Sequence, residues 1–88
     1  MARLDIFSEQ MDRASQSSAP DVLFQLGIQY STGRDVETDL VTAHKWFNLA
    51  AVRGNDTAKT YRVELAQQMS ADQIAEAQRQ AREWLSTH

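Results

Sequence analysis

A chain of 88 residues, 42% of them apolar and 24% charged, is long enough for one small packed domain and too apolar for disorder throughout. Its net charge of −3 leaves no surplus of Lys and Arg to neutralise phosphates, which argues against nucleic acid or an anionic membrane as the main partner. There are no cysteines, so disulfides, thiolate metal sites and a Cys nucleophile are excluded.

The first segment, from about Arg3 to Ser15, sets Leu4, Phe7, Met11 and Ala14 at spacings of three and four, on one face of a helix. Charges interrupt it, so it does not read as a secretory signal. No stretch approaches the roughly 20 apolar residues that span a bilayer. The expected compartment is the cytoplasm. The run Ser15 to Pro20 breaks the helix, and Ser18, with Pro20 in the first turn and Asp21 three residues on, marks the next start.

A second helix is expected from about Ala19 to Ser31. Val22, Leu23, Phe24, Leu26, Gly27, Ile28 and Tyr30 fill most of its circumference, and Asp21, Gln25 and Gln29 form a narrow polar wedge. A helix this apolar needs cover on at least two sides. The following helix supplies one cover, and the N-terminal segment, lying on Phe24 and Ile28, supplies the other.

Gly33 stands where the chain must turn, and Asp39 or Thr38 is placed to cap a helix from Leu40 to Arg53. Ala43, Trp46, Phe47, Ala50 and Ala51 form its buried side, with His44 at the surface or boundary. Gly54 ends it, and Asn55 or Asp56 opens a helix to about Met69 carrying Ala58, Tyr61, Leu65 and Met69 on one stripe. Ser70-Ala71-Asp72-Gln73 reads as a capping box, with Met69 and Ile74 as a hydrophobic staple. The last helix, about Ala71 to Ser86, turns Ile74, Ala77, Ala81, Trp84 and Leu85 inward and leaves Glu76, Arg79, Arg82 and Glu83 solvated. A Trp84 this near the end predicts a docked C-terminal turn.

The order L-G-x-x-Y-x-x-G-R-x-V-x-x-D-x-x-x-A-x-x-W-x-x-x-A-A-x-x-G-N-x-x-A, over residues 26–58, resembles the Sel-1-like repeat, a relative of the tetratricopeptide repeat. Leu26, Gly27 and Tyr30 stand in the first-helix positions of that repeat; Gly33, Arg34 and Val36 stand in its loop, and Asp39 at the start of its second helix. Ala43, Trp46, Ala50, Ala51, Gly54, Asn55 and Ala58 complete the unit. Asp35 replaces a second loop glycine, so the turn either differs or uses an Asp that tolerates the left-handed region. Arg62 and Val63 fall where a following repeat would have its Leu-Gly pair, so the chain diverges there into a cap, similar to the tails after the last repeat in bacterial members. The resulting expectation is an all-α single domain, 1–88, of about five helices in antiparallel hairpins, a Sel-1-like solenoid fragment. It comprises an N-terminal helix (3–15), one repeat (19–54) and a helical cap (55–88). One repeat cannot bury both its faces, because about three units make a stable solenoid. The flanking helices or a second copy must therefore cover it, and a monomer or weak homodimer is expected.

Residues suited to chemistry are sparse. His44 and His88 are far apart, and Leu40 and Asn48 occupy the positions one turn from His44, so a metal site is not expected. The loop from Gly33 to Asp39 has three carboxylates but neither the length nor the order of an EF-hand. Ser31-Thr32-Gly33-Arg34 lacks the glycine run and the Lys of a phosphate loop. Ser70 is accounted for by capping, and no Ser-His-Asp set is in view. As a recognition helix, residues 40–53 would bring Glu37 and Asp39 towards bases.

The resemblance implies a non-enzymatic protein–protein interaction module, a small adaptor or regulatory protein needing no cofactor. Relatives bind ligands along the concave side lined by their first helices. Here Gln25 and Gln29, with Lys59 and Arg62 on the third expected helix of the repeat and cap, would suit an extended or acidic peptide. A self-assembling structural protein is the alternative, and a small nucleic-acid-binding regulator a more distant one.

Overall fold

The computed structural model describes residues 17–88, which form four α-helices and no strand: α1 (Pro20–Thr32), α2 (Leu40–Val52), α3 (Asp56–Ala66) and α4 (Ala71–Thr87). The helix expected over residues 3–15, and with it the proposed cover on Phe24 and Ile28, lies outside the described residues. Among the described residues, no helix is long and apolar enough to cross a membrane.

Helices α2, α3 and α4 begin where a side chain accepts from a free N–H group, and α1 begins at a proline. Pro20 fixes the first turn of α1 and pushes Ala19 into the extended region (φ −69°, ψ 126°), so Ala19 becomes the capping residue. Alanine has no side-chain acceptor, and the expected cap from Ser18 is not formed. Ser17 Oγ instead accepts from the Ala19 N–H at 3.1 Å. Asp39, and not Thr38, caps α2 through Oδ1 and the Thr42 N–H (3.1 Å). Asn55 caps α3 through the Ala58 N–H (3.0 Å). Ser70 and Gln73 close the full capping box on α4, at 3.1 and 2.9 Å.

The ends are equally local. Gly33 (φ 73°) and Arg34 both donate to the Gln29 carbonyl, and Asp35 takes φ 63°, the left-handed one of its two expected options. The Asp39 N–H then closes the loop onto the Tyr30 carbonyl at 3.0 Å. At the end of α2, Gly54 donates to Ala51 and Asn55 to Ala50, the paired bonds of a Schellman turn. Helix α3 stops at Ala66, short of the expected Met69. The N–H groups of Gln67, Gln68 and Met69 each reach back three residues, so the last turn tightens before Ser70 reverses the chain.

Helix α2 is the hub, with α1, α3 and α4 packed around it. Its Ala43, His44, Trp46, Phe47, Leu49, Ala50 and Ala51 are all buried, a wider arc than the five residues expected. In α1 the buried set narrows to Leu23, Leu26 and Gly27. The small side chains at 43, 50 and 51 admit neighbouring helices, and Phe47 and Leu49, 1% and 0% exposed, fill the space between them. Each fully buried side chain of that size contributes about 1.5–3 kcal/mol by leaving water.

Two aromatic clusters tie the neighbours to the hub. Phe24 meets Phe47 at 5.7 Å and Tyr61 edge-on at 5.1 Å, which links α1, α2 and α3. Trp46 meets Trp84 edge-on at 6.2 Å and joins α2 to α4. Trp84 is buried and carries the His88 ring stacked at 4.1 Å, so the C-terminal turn is docked, as its position in the sequence predicts.

Candidate functional site

Among the described residues, a shallow groove of about 270 Å³ on α1 is lined by Asp21, Val22, Gln25, Leu26 and Gln29. Helical spacing produces it. Asp21, Gln25 and Gln29 succeed one another at four-residue steps along one edge, with half-buried Val22 beside them as the apolar floor and buried Leu26 beneath it. The groove is anchored at one end, where the Asp21 carboxylate accepts from Asn55 Nδ2 at 3.3 Å. Gln25 is exposed and Gln29 half-buried, and no side-chain hydrogen bond engages either amide among the described residues. Each amide offers two donors and a two-lone-pair acceptor, the complement of a peptide group.

Of the four residues singled out from sequence, Gln25 and Gln29 share this groove, whereas Lys59 and Arg62 lie on α3 and do not line it. Lys59 is exposed and pairs with Asp56 at 3.7 Å. Arg62 reaches inward, and its Nη1 donates to Asn48 Oδ1 at 2.7 Å, tying α3 to α2. The residues aligned with the repeat pattern have packing or turning positions. Leu26, Gly27, Ala43, Trp46, Ala50, Ala51 and Ala58 are buried, Tyr30 and Val36 are half-buried, Gly33 and Gly54 hold positive φ, and Asp39 caps α2.

A second cleft, about 390 Å³, lies between α2 and α4 and is lined by Lys45, Arg79, Gln80, Glu83, Trp84 and Thr87. Its charges largely answer one another. Arg79 donates to Glu76 at 2.7 Å and to Glu83 at 2.6 Å; those bonds raise the guanidinium's pKa and lower that of the Glu76 carboxyl. Lys45 Nζ sits 4.4 Å above the Trp46 ring. Burial lowers the Lys45 pKa, against the opposing pull of Glu83. Among the described residues, no three His, Cys, Asp or Glu side chains are grouped to share a metal ion.

His44 departs from expectation. It is 3% exposed, and its Nδ1 is buried without a hydrogen-bond partner among the described residues. Burial first, and the charge of Arg62 second, lower its pKa. The signal is present in the sequence. Position 44 is seven residues, two turns, before Ala51, so the two share a stripe, and assigning Ala51 to the core places His44 there too.

Comparison with family models, curated proteins and solved structures finds no significant match to the chain.

Proposed function

We propose that the chain is a small, non-enzymatic, cytoplasmic interaction module that holds an extended segment of another protein along α1. In this reading α1 and α2 form one Sel-1-like repeat, and α3 and α4 cap it. The observation that carries it is the α1 groove: an apolar floor of Val22 over buried Leu26, edged by the unengaged amides of Gln25 and Gln29. An extended peptide exposes backbone N–H and C=O groups on one edge and side chains on alternate faces, so amides beside an apolar floor answer both features. The spacing of the repeat residues adds support, since relatives with that spacing use the equivalent helix.

The test is selection of peptides from a displayed random library, followed by binding to a Gln25→Glu/Gln29→Glu variant. Both positions lie outside the buried core, so the melting temperature should hold while the selected peptides lose at least tenfold in affinity. Equal affinity for the variant refutes the reading.

One observation favours self-association as a second reading. Val52 and Val63 are 58% and 56% exposed, with Tyr61 at 40%. Light scattering of the wild type and of Val63→Glu separates the two readings. A concentration-dependent dimer abolished by the substitution supports assembly, and a monomer at micromolar concentration supports the interaction module.

A further inference from the structure

His44 is enclosed in the hub helix, yet among the described residues no group is placed to accept a hydrogen bond from its Nδ1. In the neutral ring that nitrogen can remain an unsatisfied acceptor, a modest penalty. In the imidazolium both nitrogens are N–H donors, so Nδ1 would become a charged donor with nothing to accept its proton. One turn along α2, Asn48 holds the Arg62 guanidinium at 2.7 Å, which puts a permanent positive charge on the same side of the helix.

The other neighbouring charges bring no relief. Lys45, on α2 itself, turns to Trp46, and on α4 the carboxylates of Glu76 and Glu83 are engaged with Arg79 at the surface. On α1, Asp21 is tied to Asn55; on α3, Asp56 pairs with Lys59 in solvent. Arg62 is the charge that bears on the ring, and it repels a proton.

We propose that His44 is an acid-sensitive latch between α2 and α3: its protonation sets a second positive charge beside Arg62 inside the interface and releases α3 from the hub. Helix α3 is the element prepared to leave. It spans 11 residues and buries two of them, Ala58 and Leu65, whereas α4 is held separately by the Trp46–Trp84 contact. Its release would uncover Phe24 and Phe47, whose rings Tyr61 covers.

The direction follows from linkage. The folded state holds the His44 pKa below its ordinary value, so between the two values the unfolded chain binds more protons. The stability is therefore fully present above the ordinary histidine value of about 6.5, and is lost as pH falls from there through the folded-state value. Carboxylates titrate about two units lower and do not contribute in this window.

The experiment combines thermal unfolding and proton NMR between about pH 7.5 and pH 5.5, the range in which histidine charges. The wild-type midpoint should fall by several degrees, His88→Ala should fall likewise, and His44→Leu should be flat. The wild-type His44 ring should titrate below the ordinary histidine value of about 6.5, and this decides the matter if His44→Leu does not fold. Amide exchange at the acid end, corrected for intrinsic rate, should quicken in α3 before α1. A fall retained in His44→Leu, a His44 ring titrating at or above about 6.5, or exchange rising equally in α1 and α3 overturns the proposal.

Discussion

The ring of Phe47 occupies the space that a side chain at Gly27 would need. A Cβ built on Gly27 would sit 3.0 Å from Phe47 Cγ and closer still to Cδ1 and Cε1. Phe47 is 1% exposed in the middle of the hub helix, so its ring has little room to give way. The glycine is thus the condition for α1 to approach α2 closely enough to bury Leu23 and Leu26.

Gly27→Ala sets two effects against each other. Alanine in a helix gains about 1 kcal/mol over glycine, while overpacking of a filled core costs about 1–3 kcal/mol. With a fully buried ring as the obstacle, the clash should win and chemical denaturation should show a less stable protein. In a Phe47→Leu background the same replacement should become neutral or stabilising, since the obstructing ring is gone.

Asn55 joins three helices at one corner. Its Oδ1 caps α3, its Nδ2 reaches Asp21 on α1, and its N–H completes the turn that ends α2. Asn55→Ala should therefore lose about 1–2 kcal/mol, the upper range for a cap, by urea unfolding. Asp21→Ala should cost less than half as much, because its bond is exposed and long at 3.3 Å. Asn55→Asp, which keeps the cap but faces the Asp21 carboxylate, should fall between the two.

Trp84 bears on α2 through Trp46 and is covered by His88 and by Arg53, whose guanidinium carbon lies 5.8 Å from the ring. Truncation of a buried tryptophan to alanine costs about 3–5 kcal/mol. In a chain this short that is a large share of the whole, so Trp84→Ala should be unfolded or nearly so at 37 °C by circular dichroism (~5–15 kcal/mol being the usual total). Trp84→Phe keeps most of the apolar area and should remain folded with a lowered midpoint.

Features set by a few neighbouring residues are legible in the sequence itself. The Ser70–Gln73 box and the glycine turns at 33 and 54 depend on chemistry within about five residues, whereas the sequence leaves Asp39 beside Thr38, Asn55 beside Asp56 and two turns open to Asp35. Less legible is whatever depends on which helices meet. Leu49 lies on a side of α2 that becomes interior because three helices surround it, whereas periodicity alone makes α1 the more enclosed partner. Arg62 illustrates the same point, since a helical projection shows it leaving the packed stripe of α3 but not the Asn48 acceptor it finds on α2. In the groove, the Gln25–Gln29 edge follows from periodicity alone, and its separation from Lys59 requires the path of the chain.

The claim that α1 presents the partner-binding face is tested most directly by mapping amide chemical-shift changes as a library-selected peptide is titrated into the labelled protein. The largest shifts should fall on Val22, Gln25, Leu26 and Gln29. Shifts confined to Lys45, Gln80 and Thr87, in the cleft between α2 and α4, would contradict it.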